Sequence, residues 1–381
     1  MARTPVTYLT VGFLGGCLWT VALIIGISWW NSHRSPAWPA TDAPGDGTPA
    51  IVDLLRPLQR EGRIPALGAA VVSSRGLVAA GTVGWRRLGG TAGATVTDAW
   101  HIGSDAKAMT AMLGAILVQQ GRLRWDTRLA DVFPDLAPGM DPGWSGVTLD
   151  HLLSNRSGAP AELLTPIPET RHDLVRRLTA QPPAQVPGTT FIYSNNGFIT
   201  AGAMMERVTG RPWEELIASE LWRPLGMEGC GFGGMGTPGQ DDGLWGHHQQ
   251  GTPAGNGPGA DNPPLLGPAG TVHMPLGAWA RFVADQLAGA RGGPALLPKE
   301  AYQHLHQPWP GGEYARGWLV AQRDWAKGTA LTHGGSNTLH CALVWMAPNL
   351  DRAYLVVANR QEAFATLDQV VTGLMTRYGA D

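Results

Sequence analysis

The sequence predicts a mixed α/β (α+β) fold: one antiparallel sheet built from both ends of the folded chain, flanked by helices, with a helical lobe inserted between its halves. Three observations carry this. Strand-like runs cluster toward the two ends, helical periodicity fills the middle, and Gly- and Pro-rich turns separate them. Residues 65–73 and 77–85 are apolar, rich in small and β-branched side chains, and divided by Ser74-Arg75-Gly76, which reads as a hairpin. Further strands are expected over 316–322, 329–333, 340–347 and 352–358. From Ser104 to Gln120, Ala106, Met109, Met112, Leu113, Ile116 and Leu117 share one helical face, and Gly121 marks the stop. Other helices are expected over 171–179, 197–209, 212–221 and 277–288. The domain then runs over 49–381, with the helical lobe at roughly 105–275.

Ahead of it, residues 31–48 carry Pro, Gly, Ser and Asp without periodicity and read as a linker. Thr7 to Trp30 is uncharged for 24 residues. That exceeds the roughly 7–15 apolar residues of a signal-peptide core and suffices to cross a bilayer. The expectation is an N-terminal transmembrane helix within 1–30, a single-pass anchor in the cytoplasmic (inner) membrane with the folded domain periplasmic. A cleaved signal is the second reading. Leu14 to Cys17 resembles a lipoprotein cleavage box, but the apolar run continues past Cys17.

Composition narrows the function. A formal charge of −2 with no polybasic cluster gives no footprint for nucleic acid. Cys17, Cys230 and Cys341 form no disulfide framework or metal spacing, and two buried thiols is the plain reading of the latter pair. His247-His248 lacks the further spaced ligands of a metal site and reads as loop. No metal or organic cofactor is expected. Residues 232–270 form a long Gly/Pro-rich stretch without periodicity, of the kind that builds a wall or lid beside a site.

Chemistry enters through lysine. Of 28 basic residues only three are lysines, Lys107, Lys299 and Lys327, so arginine serves wherever a fixed positive charge suffices. A lysine kept against that trend can lose its proton near neutral pH, which arginine cannot. Ser104 and Lys107 stand at i and i+3 on the expected helix, side chains over one face, with Gly103 allowing a tight entry. A serine hydroxyl is a weak nucleophile until a neighbour takes its proton, and a desolvated lysine can do so. The plain alternative is a serine cap with an ordinary lysine; chance gives about 0.1 Ser-x-x-Lys pairs in such a chain, so this one is suggestive alone.

Two more elements follow. In FIYSNNGF (191–198), Tyr193 and Asn195 point the same way if extended. A phenol bonded to an ammonium has its pKa lowered and can act as a base, and Asn195 can orient the lysine and a substrate amide. In LTHGGSN (331–337), His333, Gly334 and Gly335 follow a β-type run. The glycines permit close approach of a backbone edge, and the Ser336 N–H could help bind an oxyanion. Alone, His333 is more often a structural histidine.

In order, these elements resemble the serine β-lactamase and penicillin-binding-protein family, most closely its class C β-lactamase, D,D-peptidase and esterase branches, with the pattern Ser-x-x-Lys, Tyr-x-Asn, then Lys-Thr-Gly or His-x-Gly. LDHLLSNRSGAP (149–160) is similar to a further family segment, with Asn155 where a histidine is usual, and 187–227 and 267–289 match nearly throughout. The resemblance covers roughly residues 50–378. It implies a β-lactamase/transpeptidase-like fold with the site between sheet and helical lobe. It also implies Ser104 as the acylated nucleophile, Lys107 as its proton-transfer partner, Tyr193 as the base serving the leaving group, and Asn195 holding the network. The backbone N–H groups of Ser104 and Ser336 would form the oxyanion hole, and His333, Gly334 and Gly335 the edge strand beside the substrate. The third motif departs from the antibiotic-destroying members: a histidine carries less positive charge at neutral pH than their lysine. That favours an esterase- or D,D-peptidase-like hydrolase acting on a small-molecule or peptide ester, amide or lactam. Asn359 and Arg360 are candidate compensating carboxylate contacts. The alternative is a catalytically silent cell-wall peptide binder or sensor of the same fold.

Overall fold

A computed structural model describes residues 38–39 and 42–379. Along the chain the main elements are β1 (Gly45–Gly47), α1 (Pro49–Glu61), β2 (Ala66–Ser73), β3 (Gly76–Gly84), β4 (Ala99–His101), α2 (Ala106–Gln119), α3 (Arg171–Thr179), α4 (Asn195–Thr209), β5 (Val272–Pro275), α5 (Leu276–Ala290), α6 (Lys299–His306), β6 (Leu319–Arg323), β7 (Gly328–Ser336), β8 (Cys341–Ala347), β9 (Arg352–Ala358) and α7 (Phe364–Tyr378). Seven strands form one sheet in the order β1-β3-β2-β9-β8-β7-β6, every neighbouring pair antiparallel. The early and late strands meet at β2–β9, from Leu67↔Ala358 to Ala353↔Val72. This is the closure expected from strands at both ends.

Both faces of the sheet are covered, and strand periodicity assigns each residue its side. Leu67, Ala69 and Val71 of β2, with Tyr354 and Val356 of β9, pack under α1 and α7 with Ile51, Leu55, Leu367 and Val370. Ala66, Ala70 and Val72, with Leu355 and Val357, face α5 and the helical lobe. Helix α2 was expected to bury one face. Every residue from Ala106 to Leu117 is buried, because the helix runs between the sheet and the lobe and meets packed neighbours on all sides.

Several boundaries differ from expectation for identifiable reasons. Gly45–Gly47, within the stretch read as linker, is an edge strand on β3. Its pairing is made by backbone, with a Cβ at Gly47 falling 2.5 Å from the Ala80 carbonyl, so no side-chain alternation announces it. The strand expected from 316 begins at Leu319, because Gly317 (φ +78°) turns against α2 and a Cβ there would lie 2.5 Å from the Ala108 nitrogen. The helix expected over 212–221 is a turn of α-helix, Trp213–Leu216, continued by a π-helical turn, Ile217–Trp222. The Gly/Pro-rich stretch is a packed wall: the Asn256 side chain bonds the Gly239 amide and the Thr237 and Gln240 carbonyls. His247 is buried, with its ring nitrogens engaged by the Asn359 carbonyl and the Leu88 N–H. Cys341 is buried and Cys230 partly so; neither forms a disulfide. The membrane helix expected within 1–30 lies outside the described residues. Among the described residues no helix is long and apolar enough to cross a membrane.

Candidate active site

Ser104 lies in a single 3₁₀ turn, Gly103–Asp105, between β4 and α2, one turn ahead of the α-helix it was expected to open. Gly103 adopts φ +51°, and a Cβ there would fall 2.2 Å from the Ser336 nitrogen. Gly335 answers from β7, where a Cβ would lie 1.9 Å from the Ile102 carbonyl. Only glycine at both positions lets these backbones touch, and that contact brings the Ser336 nitrogen against the turn that carries Ser104.

Lys107 is fully buried, and its Nζ reaches three acceptors. These are Ser104 Oγ at 3.0 Å, Asn195 Oδ1 at 2.8 Å and the Ala269 carbonyl at 2.7 Å. The Tyr193 and Phe198 rings lie against the amine, their centroids 4.9 and 5.5 Å from Nζ. Burial pulls the ammonium down to about 7, against the opposing pull of the Asp105 charge. The donor count then becomes decisive. An ammonium satisfies all three acceptors. Once neutral, the nitrogen has a lone pair, and the Ser104 hydroxyl is the one partner of the three with a proton to give it.

Tyr193 precedes α4. Ser194, extended at φ −139°, puts Tyr193 and Asn195 on the same side, as expected. Asn155 pins this loop: its carbonyl accepts from the Ile192 amide and its Oδ1 from the Ser194 amide. One expectation is reversed here. The phenol was expected to be lowered by the ammonium. Instead burial pushes it up to about 12, although the residue is 37% exposed, with the Ser104 hydroxyl only partly opposing and the Asp105 charge adding to the rise; Lys107 lies over the ring, 4.9 Å from its centroid. Tyr193 is thus a proton donor at rest, and Lys107 is the group poised near neutrality.

His333 is buried on β7, and Gly334 is exposed. β7 is not the sheet edge along its whole length: β6 pairs with it from Gly328 to Thr332 and stops, leaving 333–336 uncovered on that side. The unpaired edge of β7 on that side is therefore this terminal part alone. The His333 ring lies between Asp105, with Nδ1 3.5 Å from its Oδ1, and Tyr314, with Nε2 3.3 Å from the hydroxyl. Asp105 is itself buried, which pushes it up to about 6 although His333 and the Lys107 charge pull the other way. Neither Asp105 nor Tyr314 was marked in the sequence. Both act through contacts between distant segments, and the Ala269 carbonyl carries no residue-type signal at all.

The suggested carboxylate contacts at 359 and 360 are engaged elsewhere. Asn359 is fully buried and accepts from the Ala66 amide, while Arg360 bonds the carbonyls of Gly62, Arg63, Gln361 and Glu362. Arg316, also close by in sequence to Tyr314, is fixed to Asp150.

A serine whose neighbouring buried lysine, Tyr-x-Asn loop and free strand end meet between sheet and helical lobe defines the serine hydrolase-like class built on the transpeptidase-type fold. The chain belongs to the beta-lactamase family, whose model matches residues 51–371. Among curated relatives, penicillin-binding protein 4 of Amycolatopsis lactamdurans is 35% identical over 144 residues, covering 36% of this chain and 37% of that protein. Unguisins hydrolase ungD of Aspergillus violaceofuscus is 29% identical over 176 residues, 43% of this chain and 31% of that one. The matches thus span about a third of those relatives' length. The octameric penicillin-binding protein homologue of Pyrococcus abyssi superimposes with a TM-score of 0.71 at 19% identity, over 87% of this chain and 77% of that one, a likeness of fold.

Proposed function

We propose that this protein is a serine hydrolase that cleaves an ester or amide through an acyl-enzyme on Ser104. The observation that carries the reading is the Lys107 amine, whose neutral form can accept a proton from the Ser104 hydroxyl alone among its three partners. As Oγ attacks the carbonyl carbon, its proton passes to Nζ, and the carbonyl oxygen becomes an oxyanion facing the Ser104 and Ser336 amides. The Tyr193 phenol, protonated at rest, gives its proton to the leaving group and regains one from the attacking water in deacylation, while Lys107 returns its proton to Oγ. Water then attacks the acyl carbon with the same groups in reverse.

The surroundings favour an uncharged acyl group over a β-lactam carrying a carboxylate. His333 faces the buried Asp105 carboxyl, 3.5 Å away, so the strand end offers no unopposed positive charge, and Arg360 and Arg316 are committed to other partners. Phe191 and Leu319 are exposed beside Tyr314 and the start of β6, offering apolar contact at the rim. The reading includes an extracytoplasmic site of action for a small-molecule or peptide substrate, supported by the uncharged run over 7–30.

The test is labelling with a fluorophosphonate probe and turnover of short-chain p-nitrophenyl esters beside nitrocefin. Labelling lost in Ser104→Ala, with ester turnover exceeding nitrocefin turnover, is expected. Folded protein that neither labels nor turns over an ester overturns the proposal.

A further inference from the structure

Behind the nucleophile lies a second buried constellation that the reaction does not use directly. His101 ends β4, and the Gly103 amide donates to its Nδ1 at 3.0 Å. That nitrogen therefore carries no proton, so the ring proton sits on Nε2 and is donated to Asp261 Oδ2 at 2.9 Å. Both side chains are fully buried. The other carboxylate oxygen, Oδ1, accepts from Asn337 Nδ2 at 2.9 Å. The orientation of Asn337 is fixed in turn, because its Oδ1 accepts from the amides of Leu339 and His340. His101 is three residues before Ser104, and Asn337 follows Ser336. One carboxylate, on the Gly/Pro-rich wall, thus receives a hydrogen bond from each of the two segments whose amides face the oxyanion. Burial works to raise the Asp261 pKa, but the hydrogen bonds from His101 and Asn337 outweigh it and hold the carboxyl below the usual range.

The same wall continues to Lys107. Pro268 accepts from the Thr110 hydroxyl at 2.7 Å, Ala269 accepts from Lys107, and a Cβ at Gly270 would lie 3.2 Å from the Gly103 carbonyl carbon.

We propose that Asp261 is a positioning residue that clamps the oxyanion hole, setting the spacing of the Ser104 and Ser336 amides through His101 and Asn337. This rests on the reading of Ser104 as the acylated nucleophile. Carboxylate is required because both partners donate. An asparagine at 261 offers one acceptor and one donor, so whichever way it turns its N–H₂ opposes the N–H of either His101 or Asn337 and breaks one of the two links.

The experiment compares wild type, Asp261→Asn, Asn337→Ala and the double variant in ester hydrolysis, in affinity for a phenylboronic acid as transition-state mimic, and in ¹⁵N imidazole spectra. Misplacing an oxyanion donor predicts a kcat about 10²-fold lower in Asp261→Asn and about tenfold lower in Asn337→Ala, with KM within about threefold. Boronate affinity should fall in step with kcat, and the double variant should resemble Asp261→Asn, since both act on one network. His101 should be Nε2-protonated in wild type. Wild-type kcat in either folded variant overturns the proposal, as does a kcat loss that follows only a loss of Tm. If Asp261→Asn does not fold, Asn337→Ala decides. If wild type shows neither labelling nor turnover, the proposed function has failed. The clamp is then judged on wild-type imidazole signals and Gly103 amide exchange, where Nδ1-protonated His101 or an unprotected amide overturns it.

Discussion

Lys107 Nζ lies 3.0 Å from Ser104 Oγ, and its two other partners, the Asn195 side-chain oxygen and the Ala269 carbonyl, can accept but not donate. The relationship is directional. It gives the amine one proton source when neutral, and desolvation places its pKa at about 7, where neutral and charged forms coexist at physiological pH.

The pH profile follows from that value. A general base works deprotonated, so kcat/KM for an activated ester should fall about tenfold per pH unit below an apparent pKa near 7. Lys107→Arg should lose at least about 10³-fold at every pH, since a guanidinium keeps its proton. A stopped pH–rate series checks both; activity unchanged down to pH 5 would assign the base elsewhere.

Asp105→Asn moves the same limb. The Asp105 charge raises the Lys107 pKa, so a neutral residue there removes that pull and lets the amine titrate lower still. The acid limb should shift below its wild-type position. A shift toward alkaline pH contradicts the arrangement.

Tyr193→Phe tests the reversed assignment of the phenol. With the phenol pushed up to about 12, its contribution is as a donor to the leaving group. Loss of about 10²–10⁴ in kcat is expected for a poor leaving group such as an alkyl ester. The loss should shrink for p-nitrophenyl esters, whose phenolate departs unaided. Equal losses for both substrates would remove the donor role.

Stability isolates the backbone contact. Gly335→Ala sets a Cβ against the Ile102 carbonyl and should cost about 3 kcal/mol in denaturant unfolding. Gly334→Ala, whose Cβ would meet only the edge of the part-exposed Phe364 ring at 3.1 Å, should cost far less.

The sheet and the central helix were readable because strand and helix periods differ, and because the folded chain presents strands at both ends. The expected helix over 171–179 coincides with α3. α7 carries a helical face, Leu367, Val370, Val371 and Leu374, that was there to be read. α1 is harder, with Pro57 inside it. Ser104 and Lys107, or Tyr193 and Asn195, sit close enough in sequence for spacing to reveal a shared face. Asp105 with His333, Asp261 with His101, and the Ala269 carbonyl are joined only by tertiary approach, and no local pattern encodes that. The phenol departs from expectation because whether a cation meets a ring by its face or by its hydroxyl is set by tertiary packing.

Glycine at 103, 270, 317 and 335 makes the ground under the nucleophile out of main chain alone. Main-chain atoms cannot be exchanged by substitution, so diversification in descendants of this protein has to begin at the periphery. Laboratory evolution toward new acyl groups should accumulate changes at 191, 319 and similar rim positions long before it touches anything within reach of the serine.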